Sequence, residues 1–367
     1  MTKRKIGFLV FCLVASMFFA AGCSTVTSDP VNPNDSTTPA DPPSGTTSVT
    51  LSGGSTTGTG NTLSLNFLAV DQASTTLTNI TRGNVSIEVY DSNPGSSGIS
   101  AAGLVGTVVI NVLSSGANTS KPIAVGMVLD KSGSMMDPLS PGDAKVRTLE
   151  AAADIFIDLM SNDSQAAIIN FDSVVSIEAA MTTDKNVLKI AASVEAPYGG
   201  STAFFTGAST GITETAAVNS TNYVRGVIAM TDGANNYGSK TEYDVTTEAI
   251  AAGLPVYTVG LFDTSSEASS NRAPLQRIAL ATTGTSESYH EVIVGVTGLS
   301  VMSADQIRAL GALEDIYTQL AQALTDAYTA TCTLSTSLTA GQQYWVRITL
   351  HTYGTFSQSV VVSFIAQ

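Results

Sequence analysis

Four uninterrupted apolar runs in the middle of the chain constrain its fold more than any other feature. These runs are IAVGMVLD, QAAIINF, VRGVIAMT and PVYTVGL, and amphipathic segments lie among them. A strand that faces water on one side alternates apolar and polar residues, whereas a parallel strand covered on both faces is apolar throughout. The first amphipathic segment carries its apolar face at Val146, Leu149, Ala153, Phe156 and Leu159. Residues 121–328 are therefore predicted to form an α/β domain with a doubly wound, mostly parallel sheet.

One further run does not fit a purely parallel sheet. The segment VVSIEAAM follows QAAIINF after only Asp172 and Ser173. A crossover between parallel strands needs a dozen or more residues, so two residues allow only an antiparallel hairpin. We expect this strand to pair antiparallel at an edge of the sheet.

The segments on either side of this domain have the pattern of antiparallel strands. Short alternating runs, among them TLSLNFLAVD, NVSIEVYDS and GTVVINVLS, precede the domain, and YWVRITLH and QSVVVSFIA follow it. Because one or two hairpins are marginally stable alone, both flanks are predicted to join into one small all-β sandwich made of residues 49–120 and 329–367. The α/β domain is then an insertion in that sandwich.

The N-terminal residues indicate export. A basic start, MTKRK, an apolar stretch and the small residues AAG precede Cys23, which predicts a signal peptide over residues 1–22. The sequence FAAGC resembles the lipobox of bacterial lipoproteins, which implies that Cys23 is lipidated. The alternative is an ordinary signal cleaved after Gly22, with Cys23 incidental. Residues 23–48, rich in Pro, Ser, Thr and Asp, are predicted to be a flexible linker between the anchor and the folded part.

This N-terminus places the protein in the cell envelope, as an outer-membrane lipoprotein or a cell-surface protein, and makes the membrane a partner through the lipid. Nucleic acid is not expected as a partner, because the formal net charge is -14 and clustered basic residues are lacking. Beyond Cys12 in the signal and Cys23, the chain has one more cysteine, Cys332, so no intrachain disulfide framework is expected.

Polar residues follow two strands that the predicted topology makes neighbours. In the strand order 3-2-1-4-5-6, the first and fourth strands are adjacent, and their carboxyl ends lead into Asp130 and Asp232. Two carboxylates at one crevice repel each other, and a divalent cation removes this conflict. Ser132 and Ser134 follow Asp130 at a spacing of two, and Thr202 lies in the glycine-rich loop YGGSTAFFTG. Their hydroxyl oxygens suit a hard cation, so Mg²⁺ is predicted, with Mn²⁺ and Ca²⁺ as alternatives.

These residues resemble the metal-ion-dependent adhesion site of the von Willebrand factor type A domain family. That site is Asp-x-Ser-x-Ser followed by a distant Thr and a distant Asp, matched here by Asp130, Ser132, Ser134, Thr202 and Asp232. The resemblance covers residues 121–328. It implies a Rossmann-like fold and cation-dependent binding of a protein or other macromolecular ligand through a carboxylate of that ligand. Lys131 departs from the small or apolar residue common at its position and is expected to bias the choice of ligand.

Other interpretations of these residues stay open. Asp130 could cap the first turn of a helix and bind no metal, although this leaves Thr202 and Asp232 unexplained. The whole chain could be a structural envelope or assembly scaffold whose metal only stabilises the fold. No enzyme activity is predicted: a hydrolase using Ser132 or Ser134 needs a base nearby, and Lys131 or Lys145 is the only local candidate.

Overall fold

The structure of the chain is a computed structural model. It describes residues 32–73, 75–94, 103–115, 121–136, 144–194, 200–262, 264–285, 288–293, 312, 315–318, 320–321 and 324–367. The predicted signal peptide, Cys23 and the start of the predicted linker lie outside the described residues.

The strands belong to two groups that differ in their pairing. In chain order they are β1 (Val49–Thr59), β2 (Thr62–Asp71), β3 (Val85–Tyr90), β4 (Val108–Ser115), β5 (Ile123–Asp130), β6 (Gln165–Phe171), β7 (Val175–Thr182), β8 (Val224–Thr231), β9 (Val256–Phe262), β10 (Tyr289–Ile293), β11 (Tyr328–Leu334), β12 (Gln343–Tyr353) and β13 (Phe356–Ile365). Strands β5 to β10 form one mostly parallel sheet, and the others form two antiparallel sheets.

Among the described residues, the α-helices lie between β5 and β11. They are α1 (Ala144–Leu159), α2 (Lys185–Ala192), α3 (Phe204–Ala216), α4 (Glu242–Ala252) and α5 (Ser265–Thr283). Further helical residues lie between 312 and 326, directly before β11. Among the residues that the structure describes, no helix combines the length and the apolar content needed to cross a membrane.

The mostly parallel sheet has the strand order β10-β9-β8-β5-β6-β7. The first and fourth strands of the α/β domain, β5 and β8, are therefore neighbours, as predicted. β7 pairs antiparallel with β6 and lies at the edge, which confirms the interpretation of its two-residue connection. Every residue of β5, β8 and β9 is buried.

Helices on both faces of the sheet account for this complete burial. Met127 and Leu129 of β5 pack in one core cluster with Phe156 of α1 and Tyr317 of the last helical segment. Val128 faces the other way, into a second cluster formed with α3, α4 and α5. Successive strand residues point to opposite faces, so a strand buried on both sides is apolar at every position.

The two antiparallel sheets pack face to face as a β-sandwich. One has the order β1-β2-β11-β4 and the other β13-β12-β3, so both flanks of the chain contribute to each sheet. Their inner faces share one core, in which the rings of Phe67 and Tyr328 stack with centroids 5.0 Å apart. The predicted fold class is confirmed: a doubly wound α/β sheet is inserted in a small all-β sandwich built from both flanks.

The alternating pattern of the sequence does not mark strand β1, because two adjacent glycines interrupt it. A Cβ added at Gly53 would lie 2.1 Å from Val362 Cγ1, so β1 needs glycine where it packs against β13. The ladder with β2 shifts register between Gly53 and Thr56. A glycine that lets two sheets approach closely has no signature in the apolar pattern of a strand.

The prediction of a flexible linker is wrong for the segment that begins at Asn32. Asn34 is fully buried, and its side-chain nitrogen donates to the carbonyls of Thr78 and Ile80, each at 2.8 Å. Asn84 exchanges two hydrogen bonds with the backbone of Ala40, at 2.9 and 3.0 Å. The segment has few apolar residues to bury, and side-chain amides hold it against the sandwich instead.

Candidate metal site

The two acids of the predicted site lie at the carboxyl ends of adjacent strands. β5 and β8 pair in parallel up to Leu129 and Met230. Asp130 and Asp232 follow these two residues directly or after one residue, so both acids lie at the same edge of the sheet. Both residues have a relative exposure of 0%. Burial of two acids side by side is costly unless each carboxylate oxygen has a partner.

Both oxygens of Asp130 accept hydrogen bonds from the protein. The backbone N–H of Ser132 donates to Oδ1 at 2.8 Å, and the hydroxyl of Thr231 donates to Oδ2 at 2.6 Å. Thr231 is the last residue of β8 and is itself fully buried. These two donors fix the orientation of the carboxylate.

A row of oxygen atoms joins the two serines to the second acid. Ser132 Oγ lies 3.2 Å from Ser134 Oγ, and the Ser134 hydroxyl donates to Asp232 Oδ1 at 2.7 Å. Ser132 is buried, whereas Ser134 is exposed. The row therefore begins inside the protein and opens to solvent at Ser134.

Thr202 is brought to the same edge by its backbone. Its N–H donates to Asn236 Oδ1 at 2.7 Å, and its carbonyl accepts from the N–H of Asn236 at 3.0 Å. Two residues earlier, the Gly200 carbonyl accepts from the N–H of Gly133 at 3.2 Å. The loop of Thr202 is thus bonded to the loops that follow both β5 and β8.

Close packing of helix α3 on the sheet explains why the loop of Thr202 lies so near the ends of β5 and β8. α3 begins at Phe204, directly after the loop, and a Cβ added at Gly211 would lie 2.5 Å from Val128 Cγ2 on β5. At Gly126 an added Cβ would lie 2.7 Å from the backbone oxygen of Gly211. Glycines on the helix and on the strand let the two backbones approach.

The donor set suits a hard divalent cation. Adjacent ligands of an octahedral ion with bonds of about 2.1 Å lie about 3.0 Å apart. The serine and aspartate oxygens are separated by 2.7 and 3.2 Å, close to that spacing. Within the described ranges no three His, Cys, Asp or Glu side chains form a group that could hold a metal ion, and the predicted ligand set relies on hydroxyls beside the two acids. The role of these five residues as ligands stays a prediction.

The electrostatics of the site favour a cation. Burial, together with the negative charge of Asp232, raises the pKa of Asp130 to about 7, and the hydrogen bonds from Ser132 and Thr231 oppose this rise. The ionised form of Asp130 is therefore unfavourable without a compensating positive charge. A bound divalent cation would provide that charge.

One positive charge of the protein already reaches the site. The ammonium of Lys145, the second residue of α1, donates to Asp232 Oδ2 at 2.6 Å. Both partners are buried, with side-chain exposures of 5% and 0%. Neither the spacing nor the type of Lys145 predicts this contact, because it joins residues 87 positions apart.

The Lys131 side chain is turned into the protein, contrary to the expectation that it biases the choice of ligand. Its side chain is fully buried, and its ammonium donates to Glu150 Oε1 at 2.7 Å and to the Ala192 carbonyl at 2.9 Å. The side chain points into the protein beside α1 and α2. Any effect of Lys131 on ligand choice would have to be indirect.

Sequence reasoning also missed Thr231 and the two asparagines that follow Asp232. Asn235 Oδ1 accepts from the N–H of Phe205 at 3.0 Å. Phe205 lies three residues after Thr202, whose N–H donates to Asn236. The segment GANNYGSKT indicates only a loop and a helix start. The two adjacent asparagines in this segment are its one signal for hydrogen bonds from side chains to a neighbouring loop.

Comparison with known proteins gives a match to one family model. Residues 125–293 match the family model of the von Willebrand factor type A domain. A comparison with curated proteins finds no match.

Several solved structures resemble the chain at low identity. The vWF domain of the type V pili tip protein Mfa5 from Porphyromonas gingivalis is 13% identical, with 55% of this chain and 96% of that chain covered and a TM-score of 0.41. A von Willebrand factor type A protein from Catenulispora acidiphila is 9% identical, with coverage of 90% and 75% and a TM-score of 0.40. The pilus adhesin SpaC from Lactobacillus rhamnosus GG is 12% identical, with coverage of 87% and 47% and a TM-score of 0.41. The chain thus spans about half the length of that adhesin.

The strand order of the sheet and the family match concern the same part of the chain. Residues 125–293 begin in β5 and end with β10, and so include the candidate site and all six strands of the mostly parallel sheet. This part of the chain has the fold of a von Willebrand factor type A domain and matches the model of that family.

Proposed function

We propose that the protein is a cation-dependent binding module of a bacterial cell envelope. Asp130, Ser132, Ser134, Thr202 and Asp232 hold Mg²⁺, or Mn²⁺ or Ca²⁺ in its place, and a protein or other macromolecular ligand binds there through a carboxylate. The observation that carries the proposal is the pair of fully buried carboxylates joined to a row of serine hydroxyls that opens to solvent.

The residues in and around the site have different roles in this proposal. Thr231 and the N–H of Ser132 hold the Asp130 carboxylate in one orientation, and Asn236 holds the backbone of Thr202. When bound, the cation supplies positive charge and a coordination position for an oxygen of the ligand. Ser134 is exposed and marks the direction from which a ligand can approach.

The location of the module follows from its predicted N-terminus. A signal over residues 1–22 and a lipid on Cys23 would place the sandwich and its inserted domain at the surface of a membrane. Labelling with a radioactive fatty acid tests this anchor. Label that is retained in Cys23→Ser would contradict it.

Removal of one carboxylate tests the metal site. We expect calorimetric titration with MnCl₂ to show one bound ion for the wild type and none for Asp130→Ala, because the remaining acid and hydroxyls hold a divalent ion poorly. Asp158→Ala is the matched control, since it removes a carboxylate whose side chain is 64% exposed near the end of α1. Equal binding by wild type and Asp130→Ala would refute the proposed site.

A scaffold whose metal only stabilises the fold is the second candidate. The repulsion between Asp130 and Asp232 favours it, because a cation would relieve that repulsion even without a ligand. Melting scans with and without Mg²⁺ detect the stabilisation. Capture of outer-membrane proteins on the immobilised chain, with Mg²⁺ or with a chelator, separates the two. A partner lost with the chelator and with Asp130→Ala supports binding, whereas a melting shift without any such partner supports the scaffold.

A further inference from the structure

The charged side chains described in the candidate site bring more negative than positive charge. Asp130 and Asp232 bring two negative charges, and Lys145 brings one positive charge into direct contact with Asp232. The Lys145 ammonium is almost fully buried, so water screens this contact poorly. A hydrogen bond between two charged groups is also about twice as strong as a neutral one.

The position of the ammonium matters for any incoming ion. Asp232 Oδ1 accepts from Ser134, and Oδ2 accepts from Lys145. A divalent cation that takes an oxygen of Asp232 must therefore compete with Lys145 for it, or bind beside a fixed positive charge. Both alternatives weaken cation binding.

We infer that Lys145 is an internal counter-cation of the metal site, which neutralises Asp232 in the metal-free protein and lowers the affinity of the site for divalent cations. The inference rests on the proposed function. With Lys145 in place and both acids ionised, a divalent ion changes the summed charge of Asp130, Asp232 and Lys145 from one negative to one positive. An anionic group from a ligand then restores neutrality, so cation and ligand strengthen each other's binding.

Neutral replacements of Lys145 test the inference. Calorimetric titration with MnCl₂ alone compares the wild type with Lys145→Met, which removes the ammonium, and Lys145→Gln, which removes the charge but keeps a hydrogen-bond donor. We expect both variants to bind Mn²⁺ with a Kd roughly tenfold lower than the wild type, because a like charge a few ångströms away is gone.

The matched control is Lys189→Met. Lys189 is 30% exposed and pairs with Asp158, near the other end of α1. That end lies roughly 20 Å from Lys145 along the helix axis. This variant removes the same charge from the protein but should leave the Kd for Mn²⁺ unchanged.

A second measurement needs no substitution and so does not depend on how the variants fold. Mass spectrometry follows acetylation of Lys145 by an amine-reactive ester in the wild type, with and without Mn²⁺. If the ion displaces the ammonium from Asp232, Lys145 should react several-fold faster with Mn²⁺, whereas the buried Lys131 should not change.

The outcomes separate the inference from the proposed function. If the wild type binds Mn²⁺ and neither neutral variant binds it more tightly, with no change in acetylation, Lys145 is not a competitor and the inference fails alone. If neither the wild type nor the variants bind Mn²⁺, the proposed metal site fails and the inference fails with it. Tighter binding by both neutral variants, with Lys189→Met unchanged, supports the inference.

Discussion

At the residue scale, Lys131 and Lys145 show how the surroundings of a buried lysine determine which acid it pairs with. Both lie in or near the motif that follows β5, and both are almost fully buried. Lys131 pairs with Glu150 inside the protein, whereas Lys145 reaches Asp232 in the candidate site. A sequence pattern identifies a lysine as a charge near the motif, but only the packing of α1 decides toward which acid each ammonium points.

The pair of Lys131 and Glu150 gives a prediction on stability. Lys131→Met leaves the buried Glu150 carboxylate with Arg147, whose nitrogen lies 3.0 Å from Oε2 and whose side chain is 54% exposed. Because the lost partner leaves a poorly compensated charge, urea denaturation should show a loss of about 2–3 kcal/mol. The double variant Lys131→Met, Glu150→Leu should recover most of that loss. A double variant less stable than the single one would contradict this explanation.

At the element scale, the edge strand β10 is the least predictable part of the sheet. It has five residues and pairs in parallel with β9, and the sequence around Tyr289 indicates only a long connection. His290 is the second residue of this strand, is half-buried, and lines a cavity of about 410 Å³ with Tyr257 and Asp71. Burial lowers the pKa of His290 to about 4.

This shift predicts a pH dependence of stability. The folded state keeps His290 neutral down to about pH 4, whereas the unfolded chain takes up its proton near pH 6.5. Stability is therefore lost as the pH falls from about 6.5 toward 4. At pH 5 the loss should be about 2 kcal/mol relative to pH 7, and His290→Gln should remove it. Urea denaturation at both pH values checks this, and an equal loss in wild type and variant would show that other groups cause it.

At the scale of the whole molecule, the inserted domain and the sandwich are joined by more than the chain connections. The N–H of Thr56 on β1 donates to the carbonyl of Gly253, the residue that ends α4, at 3.1 Å. Gly253 has φ +60°, and a Cβ added there would lie 1.9 Å from the Thr56 oxygen. The contact of the two parts thus depends on a residue without a side chain.

A substitution at Gly253 tests this junction. Gly253→Ala should lower the free energy of unfolding by about 2–4 kcal/mol, because it combines an unfavourable positive φ with a clash between the two parts. Gly60→Ala is the matched control: its φ is +57°, with no atom within 4 Å of the added Cβ. The control should cost only about 1 kcal/mol. Similar losses for both variants would mean that the junction tolerates the methyl group.

The sequence by itself determined the mostly parallel sheet with its antiparallel edge strand and the sandwich built from both flanks, and it predicts the residues of the candidate site. Four apolar runs, a two-residue hairpin connection and the placement of acids after β5 and β8 were enough, because these signals depend on local periodicity and on a strand order that few topologies allow. Only the tertiary structure decided that Lys145 contacts Asp232, that Lys131 turns inward and that the segment at Asn34 packs on the sandwich. These contacts join residues far apart in the chain through single polar atoms, and such contacts leave no periodic pattern in the sequence.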